Sequence, residues 1–469
     1  MRTIVATLAL PLLALAPQPA HRADWLHKAQ WGVFTHYLTG ARTSAEDWNR
    51  QVDAFDVPGL VKQLEATGCR YYVLTLGQNS GHFCSPNPAY DRYAGVQPGK
   101  CSRRDLPQEI QAALAPKGIR MMLYLPCQAP NADPQAQKGF GLPQGQKDQP
   151  VDEAFARRWA EVIQEWSVRY GRKVSGWWFD GAYGHVRFNE AVGRIYADAV
   201  RRGNPDAIAA FNPGVMIRNL VEAEDYTAGE INEPLTVECD GRWMGRSQWH
   251  MLSYLGPTWG ASPPRFTDEV VVEMTRNLVE AGGAVTWDVP IQPNGLIPEP
   301  FAKQLVALGK GLAGPRPPAK PPVPPGTLAF GKRAKLLDVA GTKALDVNSG
   351  KHFARLGVDG DPKTRAHAGG EWPWTYHVDL GAVNPVKRVV ITFDPEHFAT
   401  EYKLNLSADG QAWTTVAHVR ECKGGRKEHD FAAAPARYVR VQALKPDGPS
   451  QEGRQMGVAE LEVYGAGTK

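Results

Sequence analysis

Asp180 closes the run Val174-Ser175-Gly176-Trp177-Trp178-Phe179-Asp180-Gly181, an aromatic stretch bounded by glycines. A run this short is no helix and suits a parallel strand covered on both faces. In α/β barrels the C-terminal ends of such strands carry the chemistry. A carboxylate there can attack as a nucleophile or exchange a proton, so Asp180 is the first catalytic candidate. Its plain alternative is a strand-end acid that caps the next turn or pairs with an arginine. The elements that must hold it flank it directly. Residues 152–170 place Phe155, Trp159, Ile163, Trp166 and Tyr170 on one helical face, and 189–202 read as the helix that follows.

A chain of 469 residues exceeds one compact core and predicts two domains and an export tag. The net charge of +4 is carried by scattered Lys and Arg, which leaves no electrostatic footprint for nucleic acid. Fourteen Trp and fifteen Tyr make the chain aromatic-rich; most such rings pack cores, and the rest suit the apolar face of a sugar. Residues 1–20 combine Arg2, an apolar run from Ile4 to Ala16, and Pro17-Gln18-Pro19-Ala20. That pattern predicts a signal peptide cleaved after Ala16 or Ala20, hence a secreted or periplasmic protein. No later stretch is long enough to span a bilayer. The six cysteines lack zinc-site spacing. Export permits a disulfide, with Cys84 and Cys101 the leading pair and buried free thiols the alternative. No feature bears on oligomeric state.

From residue 24 to 314, strand-like and helix-like segments alternate. Strands are expected at 31–37, 71–76, 121–125, 174–180, 207–211 and 284–289, and helices at 58–67, 107–114, 268–281 and 300–312. The register between 212 and 267 is not readable. This order predicts an α/β chain whose first domain is a (β/α) TIM-like barrel of eight or slightly fewer units. Residues 315–326 are proline-rich and read as an extended linker. From 327 to 466 short alternating strands separated by turns such as Asp409-Gly410 predict a C-terminal β-sandwich.

Three segments in chain order resemble glycoside hydrolase family 29, the retaining α-L-fucosidases. Trp31-Gly32-Val33-Phe34-Thr35-His36 is similar to that family's first-strand motif, whose His lines the fucose pocket. Trp177-Trp178-Phe179-Asp180-Gly181 resembles its nucleophile strand, and 281–290 with Asn294-Gly295 its closing segment. The resemblance implies a glycan substrate, Asp180 as the nucleophile that forms a glycosyl-enzyme, and His36, Trp48, Tyr124 and Trp178 around the sugar. It also shows departures. The family's paired pocket histidines after the second strand are replaced by Gln78 and Asn79, which can still hydrogen-bond sugar hydroxyls. The expected acid/base glutamate aligns with His250 in Trp249-His250.

Retaining hydrolysis pairs the nucleophile with a proton donor about 5–5.5 Å away. Glu230, Glu233 and Glu238, in the acid-rich segment after the fifth strand, and His250, as a histidine acid, are candidates of similar weight. Their alternatives are solvated loop acids and a satisfied core histidine. Arg242 and Arg246 are candidates to orient the acid or the ring oxygens, with surface exposure as the alternative. The mechanism requires no cofactor and no barrel metal. Residues 327–466 resemble a discoidin or coagulation-factor type C domain, through Val358-Asp359-Gly360-Asp361, Val378-Asp379-Leu380-Gly381 and Glu460-Leu461-Glu462-Val463-Tyr464. That implies a carbohydrate-binding module, with Trp372 and Trp374 as sugar-stacking candidates. Asp359 and Asp361 could hold a structural Ca²⁺, turn capping being the simpler reading. An exported α-L-fucosidase-type exo-glycosidase is the leading expectation. The alternatives are a non-catalytic sugar-binding protein on the same scaffold and a hydrolase with altered sugar specificity.

Overall fold

The computed structural model describes residues 21–234, 237–315, 326–338, 340–345, 353–367, 374–445 and 456–466. The expected signal segment, residues 316–325 of the expected linker, and Trp372 lie outside the described residues. In the first domain β1 (Trp31–Thr35), β2 (Tyr71–Thr75), β3 (Arg120–Pro126), β4 (Val174–Asp180) and β5 (Ile208–Phe211) are followed by a small antiparallel ribbon. The ribbon comprises β6 (Trp243–Met244) and β7 (Ser247–Gln248), and after it come β8 (His250–Tyr254) and β9 (Ala284–Val289). Seven of these strands form one parallel sheet in the order β5-β4-β3-β2-β1-β9-β8.

Helices connect the strands where their sequences say they should begin. Asp56, Asp105, Asp152, Asn189 and Thr267 each accept a backbone N–H of the first turn of the helix they precede. The expected helix at 152–170 is therefore Glu153–Tyr170, with Asp152 as its cap.

The sheet curls toward a barrel, but its edge strands β5 and β8 do not pair with each other. Residues 225–231 lie between them. Asp225 donates its N–H to Ala209 O of β5 at 3.0 Å, while Leu252 of β8 donates to Gly229 O at 2.8 Å and Ile231 to Leu252 O at 2.9 Å. This irregular segment takes the place where an eighth strand would stand. It explains why no period was readable there: its geometry comes from two neighbouring strands and not from alternation of its own.

Period two along each strand sorts side chains into two cores. One parity, with Val33, Tyr72, Leu123, Trp177 and Phe211, packs against the helices. The other, with Phe34, Val73, Met122, Tyr124, Trp178, Ala210, Tyr226 and Leu252, fills the interior. Small and large residues alternate within it: a Cβ on Gly32 would sit 2.4 Å from the Tyr71 ring. The remaining internal void is about 10 Å³, so the interior is a packed core.

The second domain is a six-stranded sheet of β10 (Arg333–Leu337), β11 (Thr375–Phe393), β12 (Glu401–Ser407), β13 (Thr414–Val419), β14 (Arg426–Lys445) and β15 (Val458–Gly465). Two expected strands, 376–380 and 387–393, are one long strand, β11, with a register shift between Asp379 and Asn384. Its first half pairs with β10 and its second with β15, while β14 follows it throughout. The domain thus has two leaves joined by two bent strands, and one apolar core takes side chains from both. Trp374 packs against that core. Asp359 and Asp361 cap their own turn: Asp359 accepts the Thr364 hydroxyl and Asp361 the Lys363 N–H.

The expected Cys84–Cys101 bridge is not formed, and all six cysteines are free. The Cys84 thiol turns to Thr75 O at 3.4 Å, and Cys101 pairs with the Asp91 carboxyl. Among the described residues no helix is long and apolar enough to cross a membrane.

Candidate active site

Around the interior core, five segments carry a polar residue two positions beyond an inward one, at the C-terminal rim. Phe34 is followed by His36, Trp178 by Asp180, Ala210 by Asn212, Ala228 by Glu230 and Thr286 by Asp288. The rim is thus a ring of polar groups on an aromatic floor, where Tyr124 and Trp178 stack at 5.4 Å.

Asp180 accepts two hydrogen bonds, from the Tyr124 hydroxyl to Oδ2 at 2.6 Å and from Asn212 Nδ2 to Oδ1 at 2.9 Å. Tyr124 in turn accepts from Gln78 Nε2 at 2.5 Å. Burial, then the charge of Asp180, push the Tyr124 pKa well above its ordinary value, so it serves as a donor. Asn212 Nδ2 also donates to Glu230 Oε2. Its Oδ1 accepts the Gly214 N–H at 3.1 Å, which fixes the amide with its two N–H bonds toward the two carboxyls. One nitrogen therefore bridges Asp180 and Glu230, and the nearest oxygens can be no further apart than two hydrogen bonds, about 6 Å.

Glu230 is largely buried. Burial, then the negative charge of Asp180, raise its pKa to about 7, against the opposing influence of the Asn212 hydrogen bond and His36. One carboxyl of the pair is thus positioned as an acceptor, and the other holds a proton near neutrality. Gly229 makes this placement possible. Its φ is +67°, and a Cβ there would meet His250 O at 1.9 Å, so only glycine lets the segment lie against β8 with Glu230 at the rim.

His36 Nδ1 pairs with Asp288 Oδ1 at 2.8 Å, and Asp288 Oδ2 accepts the Gly260 N–H at 2.7 Å. Burial opposes charge on the His36 ring, but the carboxylates of Asp288, Asp180 and Glu230 outweigh it and raise its pKa above the usual imidazole value. Half-buried Trp259 stands edge-on to His36 at 5.8 Å and to Tyr254 at 4.9 Å, completing one wall. Tyr183, half-buried, feels both Asp180 and Glu230 after burial, and its pKa is raised.

Several sequence candidates lie elsewhere. His250 is buried inside the barrel, with Nδ1 at Thr227 O and Nε2 at the Thr286 hydroxyl. Burial lowers its pKa to about 4, so it is a satisfied, neutral core histidine and no proton donor at this rim. Glu238 also has a pKa raised to about 7 by burial, but its partners are Arg355, Arg333 and the Ala334 N–H of the second domain; Asp180 is not among them. Glu233 is exposed and faces Arg265. Trp48 is buried between sheet and helices, its Nε1 on Phe83 O at 3.0 Å. Arg242 pairs with Asp24 and Gln248 at the opposite, N-terminal end of the sheet. Asn79 is exposed, and of that amide pair Gln78 is the one that bonds to the rim residues, through Tyr124. The sequence reading missed Asn212, Asp288, Tyr183 and Trp259 as site residues; Asn212 was findable two positions beyond Ala210.

Replacing Asn212 by alanine removes the hydrogen bond that lowers the Glu230 pKa, leaving burial and Asp180 to raise it further. The basic limb of the pH–rate profile is expected to move above its wild-type position near 7. kcat/KM should fall roughly 10- to 100-fold as the pair loses its alignment. Initial rates across pH, with circular dichroism as a check on folding, measure both.

The α-L-fucosidase family model matches residues 19–314, and a model of the F5/F8 type C group, described as a NedA-like, galactose-binding domain, matches 356–441. A Ruminococcus gnavus glycoside hydrolase family 29 fucosidase solved with fucose is 15% identical, covering 97% of this chain and 98% of that one, with TM-score 0.44. A glycoside hydrolase family 29 member from an unknown rumen bacterium is 14% identical over 97% of this chain and 78% of that one, with TM-score 0.46. An endo-fucoidan hydrolase of glycoside hydrolase family 107 is 15% identical over 64% of this chain and 95% of that one, with TM-score 0.52. This last likeness bears on the fold alone. A search of the curated proteins finds no match.

Proposed function

Because the chain belongs to the α-L-fucosidase family, we propose that it is an exported, retaining exo-glycosidase that removes terminal α-L-fucosyl groups from glycans. Asp180 is its nucleophile and Glu230 its acid/base. The observation that carries this reading is the Asn212 amide shared between the two carboxyls. Asp180 attacks the anomeric carbon while the neutral Glu230 carboxyl passes its proton to the departing glycosidic oxygen. The C–O bond breaks, and a glycosyl ester forms on Asp180. Glu230, now a carboxylate, then takes a proton from water as that water attacks the same carbon and frees Asp180. Two carboxyls suffice, and the mechanism calls on no cofactor.

Tyr124 and Asn212 hold the nucleophile in one orientation, and the Tyr124–Trp178 stack offers an apolar floor to the sugar ring. His36, fixed through Asp288, supplies a donor toward the sugar hydroxyls. Gln78 donates to the Tyr124 hydroxyl and so holds it in line for Asp180.

Release of chromophore from a panel of aryl glycosides tests the proposal. Turnover of the α-L-fucoside supports it in full, turnover of another glycoside alone keeps the mechanism and replaces the sugar, and turnover of none overturns it.

A further inference from the structure

Independently of the barrel, we propose that the outer face of the β10–β14 leaf binds an acidic saccharide, its carboxylate or sulfate ester seated between Arg440 and Lys403. Strand parity builds the face. Tyr376, Val378, Leu404, Leu406, Val439 and Val441 point into the domain core, so Thr375, His377, Lys403, Asn405, Arg440 and Gln442 point outward on neighbouring strands. These outward residues do not form a flat solvated surface. With Trp413 and Thr415 they line a cleft of about 230 Å³.

The polar groups are buried and pre-arranged. Asn405 is 8% exposed, its Oδ1 accepting from the Thr415 hydroxyl at 2.7 Å, and its Nδ2 lies 3.4 Å from Gln442 Oε1. Thr375, which lines the cleft, is 1% exposed, and its buried hydroxyl has no hydrogen-bond partner among the described residues. An unpaired buried hydroxyl is the kind of group a ligand hydroxyl or a bridging water satisfies. Arg440 is clamped three ways: Nε to His377 Nδ1 at 3.1 Å, Nη2 to Gly341 O at 3.1 Å, and its guanidinium 3.9 Å from the Trp413 ring centre.

The charge on this face has no internal counterpart. Among the described residues no carboxylate lies within ion-pair distance of Arg440 or Lys403. Two acids stand nearby and both are engaged elsewhere: Asp379 at both oxygens by Arg437, and Glu401 by His418 and Lys445. Lys335, opposite His377 in register, adds a further cation. A rigid guanidinium and an unpaired ammonium ask for an anion, and the amides and hydroxyls beside them ask for a ligand rich in hydroxyls. A nucleic acid fits less well. Trp413 has one ring face covered by Arg440 and stands T-shaped to His377, so at most one face is open for a base to stack on.

The test is titration calorimetry on the full chain with oligogalacturonate, dextran sulfate, neutral dextran and a single-stranded DNA oligonucleotide. Binding of either acidic saccharide is expected, weakened by added salt and lowered about tenfold or more by Lys403→Glu. Oligogalacturonate alone would identify a carboxylate ligand, and dextran sulfate alone a sulfate ester. Thr415→Ala, a milder change at the other side of the cleft, should lower binding severalfold, and both variants should keep the aryl-glycoside turnover of the parent. No binding of either acidic saccharide would overturn the proposal. So would binding unmoved by Lys403→Glu, equal affinity for neutral dextran, or tighter binding of the oligonucleotide.

Discussion

Asp180→Ala is expected to lower kcat on an aryl α-L-fucoside by roughly 10⁴-fold or more, the scale seen when a covalent nucleophile is removed. The substitution deletes the atom that attacks and leaves Tyr124 and Asn212 with unfilled donors, so neither neighbour can take over the role. Binding should survive better than turnover, because the Tyr124–Trp178 floor and His36 are untouched. The two effects separate in kcat against KM. A smaller variant, Asp180→Gly, leaves room for azide on the side of the sugar that the carboxylate occupied. Azide should restore turnover of an activated fucoside, and the product should be the fucosyl azide of inverted configuration. A residual rate above about one hundredth of the parent's would remove Asp180 from the role of nucleophile.

Glu230→Gln is expected to divide substrates by their leaving groups. A glycan alkoxide leaves only with a proton, so cleavage of natural linkages should fall by about 10²- to 10⁴-fold. An activated aryl leaving group needs little help, and its first step should be nearly unaffected, with the glycosyl-enzyme accumulating because no base activates water. The pH profile carries the sharper signature. In the parent, kcat/KM should fall as pH rises through about 7, where Glu230 loses the proton it must donate. In the glutamine variant that limb should disappear. Retention of the limb would assign it to another group and remove Glu230 as the acid.

How much of this was legible before the structure differs from element to element. Phe34 to His36 and Trp178 to Asp180 were readable because each lies on an uninterrupted strand, where period two and the strand end fix which way the side chain points. Glu230, the proposed proton donor, was one of four candidates that the sequence did not rank. It lies in Tyr226-Thr227-Ala228-Gly229-Glu230, which resembles a family segment near the pocket, but its geometry is set by hydrogen bonds to β5 and β8, far away in sequence. Alignment by motif put His250 at the acid/base position, but that residue is inward on β8 one layer too deep, with both ring nitrogens already satisfied. Glu238 shows why a shifted acid alone does not make a site. It shares a pKa of about 7 with Glu230 for the same first reason, burial, yet that burial comes from the second domain, which no period in the barrel reveals. Arg242 and Trp48 were misplaced for a related reason. A loop's residues do not disclose which end of the sheet the loop crosses to, and a tryptophan on a helix packs as readily behind a sheet as over a sugar.

The whole account rests on a covalent glycosyl ester at Asp180. The most direct test is to incubate the protein with 2-deoxy-2-fluoro-fucosyl fluoride, whose activated leaving group lets the ester form while the fluorine slows its hydrolysis, and to map the peptides by mass spectrometry. The account predicts one added fluorofucosyl group on the peptide containing Asp180, absent in Asp180→Ala. Turnover of the fucoside without that label, or a label carried by any other carboxylate, would contradict it.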